Sequence, residues 1–372
     1  MKTLILIFLT TLISSSLYAL PKFSARTGMK CQSCHVNPTG KGMRNTFGAT
    51  YGKEELPISL NEKEENVEEE ITEKVGSLFS TFSLGADIRT LFFYTIADKK
   101  SSFFQMQGDI YIDMKLNKKI SLHLDKGLYS GFEVYGLAKV LPLHGYVKLG
   151  KFLPAYGTRI EDHTAFIRGG GYGSPSTGFR FGQRSEDTGL EFGFLPSIFT
   201  FNVGVFNGTP GGGISGVAGE KSKAFVARGD ATIQTDFGNL IIGGSFYNHP
   251  NTNTSGKTQF YGAFGSFNIL QSLTYTGELD YVTLFSEGKE IVGFVTFNEL
   301  SYTITQGIDA NVRYEFYDPD KNLKTGSYTR MTFGVELFPW NGVEIQPMYR
   351  LNKEEKNEIK NDEIQCMFHF YL

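Results

Sequence analysis

Three residues near the N-terminus, Cys31, Cys34 and His35, form a C-x-x-C-H motif. In such a motif the two cysteine thiolates can add to the vinyl groups of a haem, and the adjacent histidine can bind the iron from the proximal side. The spacing therefore predicts one covalently attached haem c, with Cys31 and Cys34 as its attachment sites and His35 as its axial iron ligand.

Other chemistry is open to the same cysteines. In an oxidising compartment Cys31 and Cys34 can form a disulfide. A zinc site needs further ligands at short spacing, and no other Cys or His follows before His123. A thioredoxin-like redox pair would lie in a βαβ pattern, which the sequence lacks. Haem attachment is the interpretation that we carry forward, with these three as alternatives.

The first residues indicate export. A positive region at Met1 and Lys2 precedes an apolar stretch from Leu4 to Leu17, and Leu17-Tyr18-Ala19 fits a cleavage site. We expect residues 1–19 to be a signal peptide that is removed. A retained anchor is the competing interpretation, but the stretch is shorter than the ~20 apolar residues of a spanning helix. Because haem c is attached outside the cytoplasm, export and the motif agree.

The remaining chain divides into three segments. Residues 20–52 hold the haem motif and are too few to form a core of their own. Residues 53–76 form an acidic linker, in which positions 60–74 contain seven Glu and two Lys. Residues 77–372 form the large domain. The net charge of -3 and the scattered Lys and Arg give no nucleic-acid footprint, so no nucleic-acid partner is expected.

The large domain is predicted to be all-β. Apolar and polar residues alternate with a period of two, and the 43 Gly, 33 Phe and 19 Tyr suit strands and turns. About sixteen such segments of roughly ten residues lie between turn signals, which predicts a transmembrane antiparallel β-barrel. A secreted β-sandwich also alternates, but it would not place charged residues on one face of nearly every strand.

Two stretches illustrate the predicted faces. In residues 103–116 the apolar face is assigned to Phe104, Met106, Ile110, Ile112 and Met114, and the polar face to Gln105, Gln107, Asp109, Asp113 and Lys115. In the last strand one face is assigned to Ile364, Cys366, Phe368, Phe370 and Leu372, and the other to Gln365, Met367, His369 and Tyr371.

Tight turns near 237–239 and 340–342 are expected on the periplasmic side, and 208–223 and 248–258 are expected to be longer extracellular loops.

The distal iron ligand is the least constrained part of the site. Met43 belongs to the same small segment, and methionine is a known axial ligand that raises the reduction potential. Met29 is also close, and His123, His144 and His369 are expected to face the lumen. We expect Met43 as the distal ligand and keep the others as alternatives, since a lone histidine is most simply a polar lumen side chain.

Residues 19–43, ALPKFSARTGMKCQSCHVNPTGKGM, resemble the fused outer-membrane monohaem cytochrome-porins associated with extracellular iron oxidation. Pro21, Phe23, Arg26 and Thr27 precede the haem motif much as that family's Pro-x-Phe-Ala-Arg-Gln-Thr does, although this chain reads Phe-Ser-Ala-Arg-Thr, without the Gln. The resemblance implies that the small haem segment plugs or enters the barrel.

The barrel is similar to the phosphate-selective porin group. LGKFLPAYG, residues 149–157, resembles a strand of that group that ends in Gly-Lys-Phe-x-Pro-x-x-Gly, and RSEDTGLEFG resembles its strand after a long folded-in loop. Between them, residues 166–182 are Gly-rich and contain Arg168 and Arg180. They are expected to form either a constriction of the lumen or a simple extracellular loop.

These patterns predict an electron-transfer protein in the outer membrane of a Gram-negative-type bacterium. The resemblance implies Fe(II) as the extracellular donor, a periplasmic cytochrome or other carrier as partner, and lipid around the barrel; Fe(II) oxidation is the enzymatic form of this activity. Acidic loop residues such as Glu161, Asp162, Glu186 and Asp187 are candidates for contact with the donor. The rival expectation is a solute-permeating porin whose haem segment is a tethered periplasmic domain or a gate.

Overall fold

The strand-rich part of the chain closes on itself. The computed structural model describes residues 21–58, 81–127, 131–170, 181–182, 185–211, 222–251, 256–270, 272–286, 288–356, 358 and 360–372. The predicted signal peptide, most of the predicted linker and Arg180 lie outside the described residues.

Sixteen antiparallel strands form the barrel, and β1 pairs with β16 to close it. The predicted fold class and strand number are thereby confirmed. The strands are β1 (Phe82–Thr95), β2 (Lys100–Lys115), β3 (Ile120–Gly127), β4 (Phe132–Leu141), β5 (Gly145–Phe152), β6 (Asp187–Phe194), β7 (Phe199–Phe206), β8 (Ala224–Thr235), β9 (Gly238–Asn251), β10 (Gly256–Ile269), β11 (Leu273–Ser286), β12 (Lys289–Thr305), β13 (Ile308–Asp318), β14 (Tyr328–Trp340), β15 (Val343–Glu354) and β16 (Glu363–Tyr371).

Two short helices precede the barrel, α1 (Pro21–Thr27) and α2 (Thr46–Glu54), with a 3-10 turn at Cys31–Ser33 between them. A second 3-10 turn, Phe166–Arg168, lies between β5 and β6. None of the helices in the described ranges is long and apolar enough to cross a membrane. Helix α2 extends past position 52, where the haem segment was expected to end.

The connections at the two ends of the barrel differ in length. Each even-numbered strand up to β14 is joined to the next by two to four residues, at the end where β1 begins and β16 stops; we call this the short-turn end. The tight turns near 237–239 and 340–342 lie there. Connections at the opposite end include residues 153–186 and 207–223. Residues 248–258, expected to be a loop, are mostly strand, because β9 and β10 extend into them.

The two faces of each strand differ as a membrane barrel requires. Apolar residues such as Leu279 (44% exposed) and Val312 (42% exposed) lie on the outside, whereas Asp309 (4%) and Glu315 (0%) face the lumen. The alternation predicted for the last strand is confirmed, since Gln365 and the other residues of its lumen face are less exposed than those of its lipid face.

One predicted face is wrong in part. The register between β1 and β2 shifts at Met106, an extra residue that forms a β-bulge. Because a bulge inverts the alternation, Met106 is only 6% exposed and packs with Leu91 and Met367 inside the barrel, with Phe104 against the same cluster. Phe104 and Met106 therefore do not share the lipid face of Ile110.

A charge on the outer face tests the membrane position of the barrel. Leu279 lies midway along β11, whereas Phe237, 86% exposed, lies in a turn at the short-turn end. We expect Leu279→Arg to lower the free energy of unfolding in lipid vesicles by about 2–4 kcal/mol and Phe237→Arg by only about 0–1 kcal/mol. Equal effects in chemical denaturation would contradict this membrane position.

Candidate functional site

Residues 21–58, which we call the N-terminal segment, lie inside the lumen. Arg26 Nη1 lies 2.7 Å from Asp309 Oδ2 on β13, and Lys41 Nζ lies 2.8 Å from Glu133 Oε1 on β4. Lys22 pairs with Glu336 on β14. Since β4 and β13 stand on opposite sides of the sixteen-stranded ring, the segment crosses the lumen.

Two lysines of the segment, Lys22 and Lys41, are held as cations. Burial opposes the charge of Lys22, but the carboxylates of Glu336 and Asp309 raise its pKa above the ordinary value. Burial likewise opposes the charge of Lys41, and Glu133 and other carboxylates raise the pKa of that lysine. The segment is therefore docked by buried charge pairs on acidic walls.

The haem motif is built on a compact local frame. Asn45 joins the turn Cys31–Ser33 to helix α2. Its side chain donates a hydrogen bond to Ser33 O (3.0 Å) and accepts one from Gly48 N (3.0 Å). A Cβ at Gly48 would lie 2.3 Å from the Cys34 carbonyl oxygen, so helix α2 contacts the motif directly and needs glycine there.

Cys34 and His35 line a cavity of about 1150 Å³, a volume that includes its opening to solvent. The connection between β5 and β6, residues 153–186, supplies much of the facing wall, and we call it the inner loop. Other residues that line the cavity include Arg44, Asp87, Arg89, Glu161 and His163.

The described residues of the inner loop, 153–170, 181–182 and 185–186, fold into the lumen. Phe166 N donates to Glu315 on β13 (2.7 Å), and Arg168 Nη2 lies 2.6 Å from Glu278 Oε2 on β11. Asp162 pairs with Arg313 and Arg350. Burial alone would raise the pKa of Asp162, but these guanidinium groups hold it well below its usual range. The loop is therefore pinned to the barrel wall.

Arg159 of the inner loop lies beside both cysteines. Cys31 lines a second cavity of about 540 Å³, a volume that also includes its opening to solvent, and Arg159 lines both cavities. Its guanidinium donates only to backbone carbonyls at 3.2 to 3.5 Å, and within the described chain no carboxylate forms an ion pair with it. Burial lowers the pKa of Arg159 to about 10, so the side chain stays charged at neutral pH.

These residues fit a haem c. Two thiols and an imidazole come from one short turn, and a buried cation without a carboxylate partner suits the carboxylate side chains of the cofactor. Burial raises the pKa of the Cys31 thiol, the reverse of the shift that activates the cysteine of a thioredoxin-like pair.

The expected distal ligands lie elsewhere. Met43 is 4% exposed, and its Cγ lies 3.5 Å from where a Cβ of Gly85 on β1 would be, so it packs on the barrel wall. Met29 lines the second cavity. His369 lies in the wall, between carboxylates, and His144 lies in the exposed β4–β5 turn. The distal ligand predicted from the sequence stays a prediction.

The structure gives positions for the other candidate residues of the loops. Arg168 is buried in the lumen, and Glu161 lies 3.6 Å from Arg89 at the cavity. Asp162 and Glu186 are enclosed rather than presented to the outside. Asp187 is 3% exposed at the start of β6.

His163 and Arg159 were not singled out from the sequence. Both lie in the inner loop, between the strand with the porin-like Gly-Lys-Phe pattern and the Gly-rich stretch. The available signal was an imidazole next to Glu161 and Asp162, just before residues 166–182, which were expected to form either a constriction of the lumen or a simple extracellular loop. The sequence could not show which cavity His163 lines, because this depends on contacts of the inner loop with strands that are far away in sequence.

No family model matches the chain, and no curated protein matches it. Solved porin structures match its fold. OmpT of Vibrio cholerae gives a TM-score of 0.55 at 13% identity and covers 78% of this chain and 99% of its own. The anion-selective porin from Comamonas acidovorans gives 0.55 at 11% identity, with 78% and 99% covered. Salmonella typhi OmpF gives 0.56 at 10%, with 78% and 97% covered. The closed barrel, its apolar outer face and this likeness indicate an outer-membrane location.

Removing the Asp162 carboxylate tests how firmly the inner loop is held. Asp162→Asn removes the anion shared by Arg313 and Arg350, which keep Glu299 and Glu363 as partners, so we expect a loss of about 1–3 kcal/mol in the free energy of unfolding. Asp98→Asn, in an exposed turn, should change it by less than about 0.5 kcal/mol. Urea denaturation of both variants gives the comparison.

The same variant has a defined pH dependence. Because the pKa of Asp162 is lowered in the folded protein, its stabilisation is present above about pH 4 and is lost as the pH falls through the folded pKa. The difference between wild type and Asp162→Asn should therefore be constant from pH 5 to 8. A difference that disappears within that range would contradict the ion-pair assignment.

Proposed function

We propose that this chain is an outer-membrane electron-transfer protein that carries electrons through one covalent haem c between an extracellular donor and a periplasmic carrier. The observation that carries the proposal is the position of the C-x-x-C-H motif: Cys34 and His35 line a cavity inside the lumen of a closed barrel. A motif held inside the barrel lumen suits electron transfer across the membrane better than a motif tethered outside the barrel.

Each residue of the site has a defined task in this proposal. Bound haem c supplies a one-electron couple between ferric and ferrous iron. Cys31 and Cys34 would hold haem c through thioether bonds, and His35 would bind its iron. Arg159 would pair with a carboxylate of the cofactor, and the Lys41–Glu133 pair holds the loop after the motif against the wall.

Distance favours a redox group within the lumen. The hydrocarbon core of a membrane is about 30 Å thick, so a centre near its middle lies roughly 15 Å from either face. The N-terminal segment contacts the short-turn end, as at the hydrogen bond from Ile58 N to Phe338 O (2.8 Å). The lining of its cavity also includes Asp87 and Arg89, part of the way along β1.

Fe(II) is the donor that we propose, on the strength of the resemblance of residues 19–43 to iron-oxidising cytochrome-porins. Oxygen ligands suit this cation, and Glu161 places a partly exposed carboxylate at the cavity. A periplasmic cytochrome or other one-electron carrier is the corresponding acceptor.

Reduction from outside the cell tests the proposal. In intact cells we expect external Fe(II) to produce the ferrous haem c spectrum, and we expect Cys31→Ala to abolish that change. Cys366→Ala is the matched control, because Cys366 lies on the outer face of β16 and should leave reduction unaltered. Wild-type protein that carries haem c but is reduced only from the periplasmic side would contradict the proposal.

A solute-permeating porin is the second candidate function, favoured by the porin fold. In planar bilayers we expect full-length wild-type protein to conduct far less than OmpF, because the N-terminal segment and the inner loop both cross the lumen. A large, stable open pore would favour the porin and count against the electron conduit.

A further inference from the structure

We propose that His163 of the inner loop is the distal ligand of the haem iron, on the face opposite His35. This inference rests on the proposed function only in requiring that haem c is attached at Cys31 and Cys34. It gives the iron two imidazole ligands, one from the N-terminal segment and one from the barrel.

The positions of the histidines carry the inference. The chain has six histidines, all within the described residues, and only His35 and His163 line the cavity that Cys34 also lines. His123 and His249 lie on the lumen walls of β3 and β9, and His144 is in an exposed turn. Of the five histidines other than His35, His163 is therefore the one that lies at the cavity of the motif.

The ring of His163 is available for a metal. Within the described part of the chain, neither of its ring nitrogens has a hydrogen-bond partner. The ring nitrogens of His369, by contrast, lie 2.8 Å from Glu344 and 3.2 Å from Asp87. His163 is partly exposed at the cavity, so its ring is accessible to a ligand there.

The charge state agrees with this role. Burial and the nearby Arg89 guanidinium lower the pKa of His163 to about 3, so the imidazole is neutral at physiological pH. Neutral imidazole is the form that binds transition metals, and no proton has to be displaced.

The residues beside His163 fix its position. Asp162 is held by Arg313 and Arg350, and Thr164 O accepts a hydrogen bond from Arg330 Nη1 (3.0 Å). Thr164 Oγ1 accepts a further hydrogen bond from Arg350 (2.7 Å). Three arginines of the barrel therefore hold the two neighbours of His163, and a ligand whose backbone is already ordered loses little entropy on binding.

Met43, the competing candidate for the distal ligand, does not line the cavity. It packs against β1 at Gly85. Since methionine ligation raises the potential of haem c, the choice between His163 and Met43 also decides the potential at which this centre works.

The spectra of purified full-length holoprotein test the inference. For wild type we expect the low-spin electron paramagnetic resonance signal of two imidazole ligands, without the methionine sulfur-to-iron absorption band. His163→Ala should lose the low-spin signal, become high-spin and recover the low-spin state when free imidazole is added. His163→Met should gain the methionine band and a higher potential. Met43→Ala and His144→Ala should match wild type.

The outcomes separate this inference from the proposed function. Wild-type protein without covalent haem in a pyridine haemochrome assay would overturn the proposed function itself. Attached haem with an unchanged spectrum in His163→Ala, or with loss of the wild-type spectrum in Met43→Ala, would overturn only the assignment of His163. If His163→Ala does not fold, the wild-type spectrum alone decides, because a methionine band or a high-spin ferric state would contradict two-imidazole ligation.

Discussion

Closure of the barrel between β1 and β16 is the constraint on which the other features depend. Backbone groups in lipid must all be hydrogen-bonded within the protein, and closure leaves no open strand edge. Each strand must then turn its charged side chains inward, and the lumen wall carries buried residues such as Asp309, Arg313 and Glu315. Any part of the chain that enters this space has to bring complementary charges, because an unpaired buried charge is costly.

The N-terminal segment meets this requirement with cations, and the inner loop meets it with charges of both signs, since its Arg168 pairs with Glu278. The segment brings Lys22, Arg26 and Lys41 to acidic positions on the wall, whereas the loop brings Asp162 to two arginines. Buried ion pairs contribute little net stability compared with apolar packing, but they disfavour other arrangements strongly. Their main effect here is positional: they hold the two elements on either side of one cavity.

Sequence reasoning succeeded where the relevant interactions are local. The period of two predicted the strands and the faces of β16. The haem attachment predicted from C-x-x-C-H stays a prediction. Sequence reasoning failed at Met106, because a β-bulge is a property of the pairing between two strands and leaves no mark in one strand's alternation. From the sequence, Asp162 is expected to be a solvated acidic residue of a loop. In the structure it pairs with Arg313 and Arg350, which are far away in sequence. Residues of the cavity wall were unpredictable for the same reason.

The cavity is built from two sides, which bears on the electron transfer that we propose. On the loop side Tyr156 stacks on Phe181 with ring centroids 4.4 Å apart, within a larger apolar cluster that fills part of the lumen. Such packing excludes water, and in a drier site each nearby charge would act more strongly on a bound redox group. A redox group bound between this loop and the segment would have its potential set by the charges lining its cavity, Asp87, Arg89 and Glu161 among them, and by its axial ligands. The barrel thus supplies more than a passage through the membrane: its wall charges and its loop determine the environment in which the haem motif works.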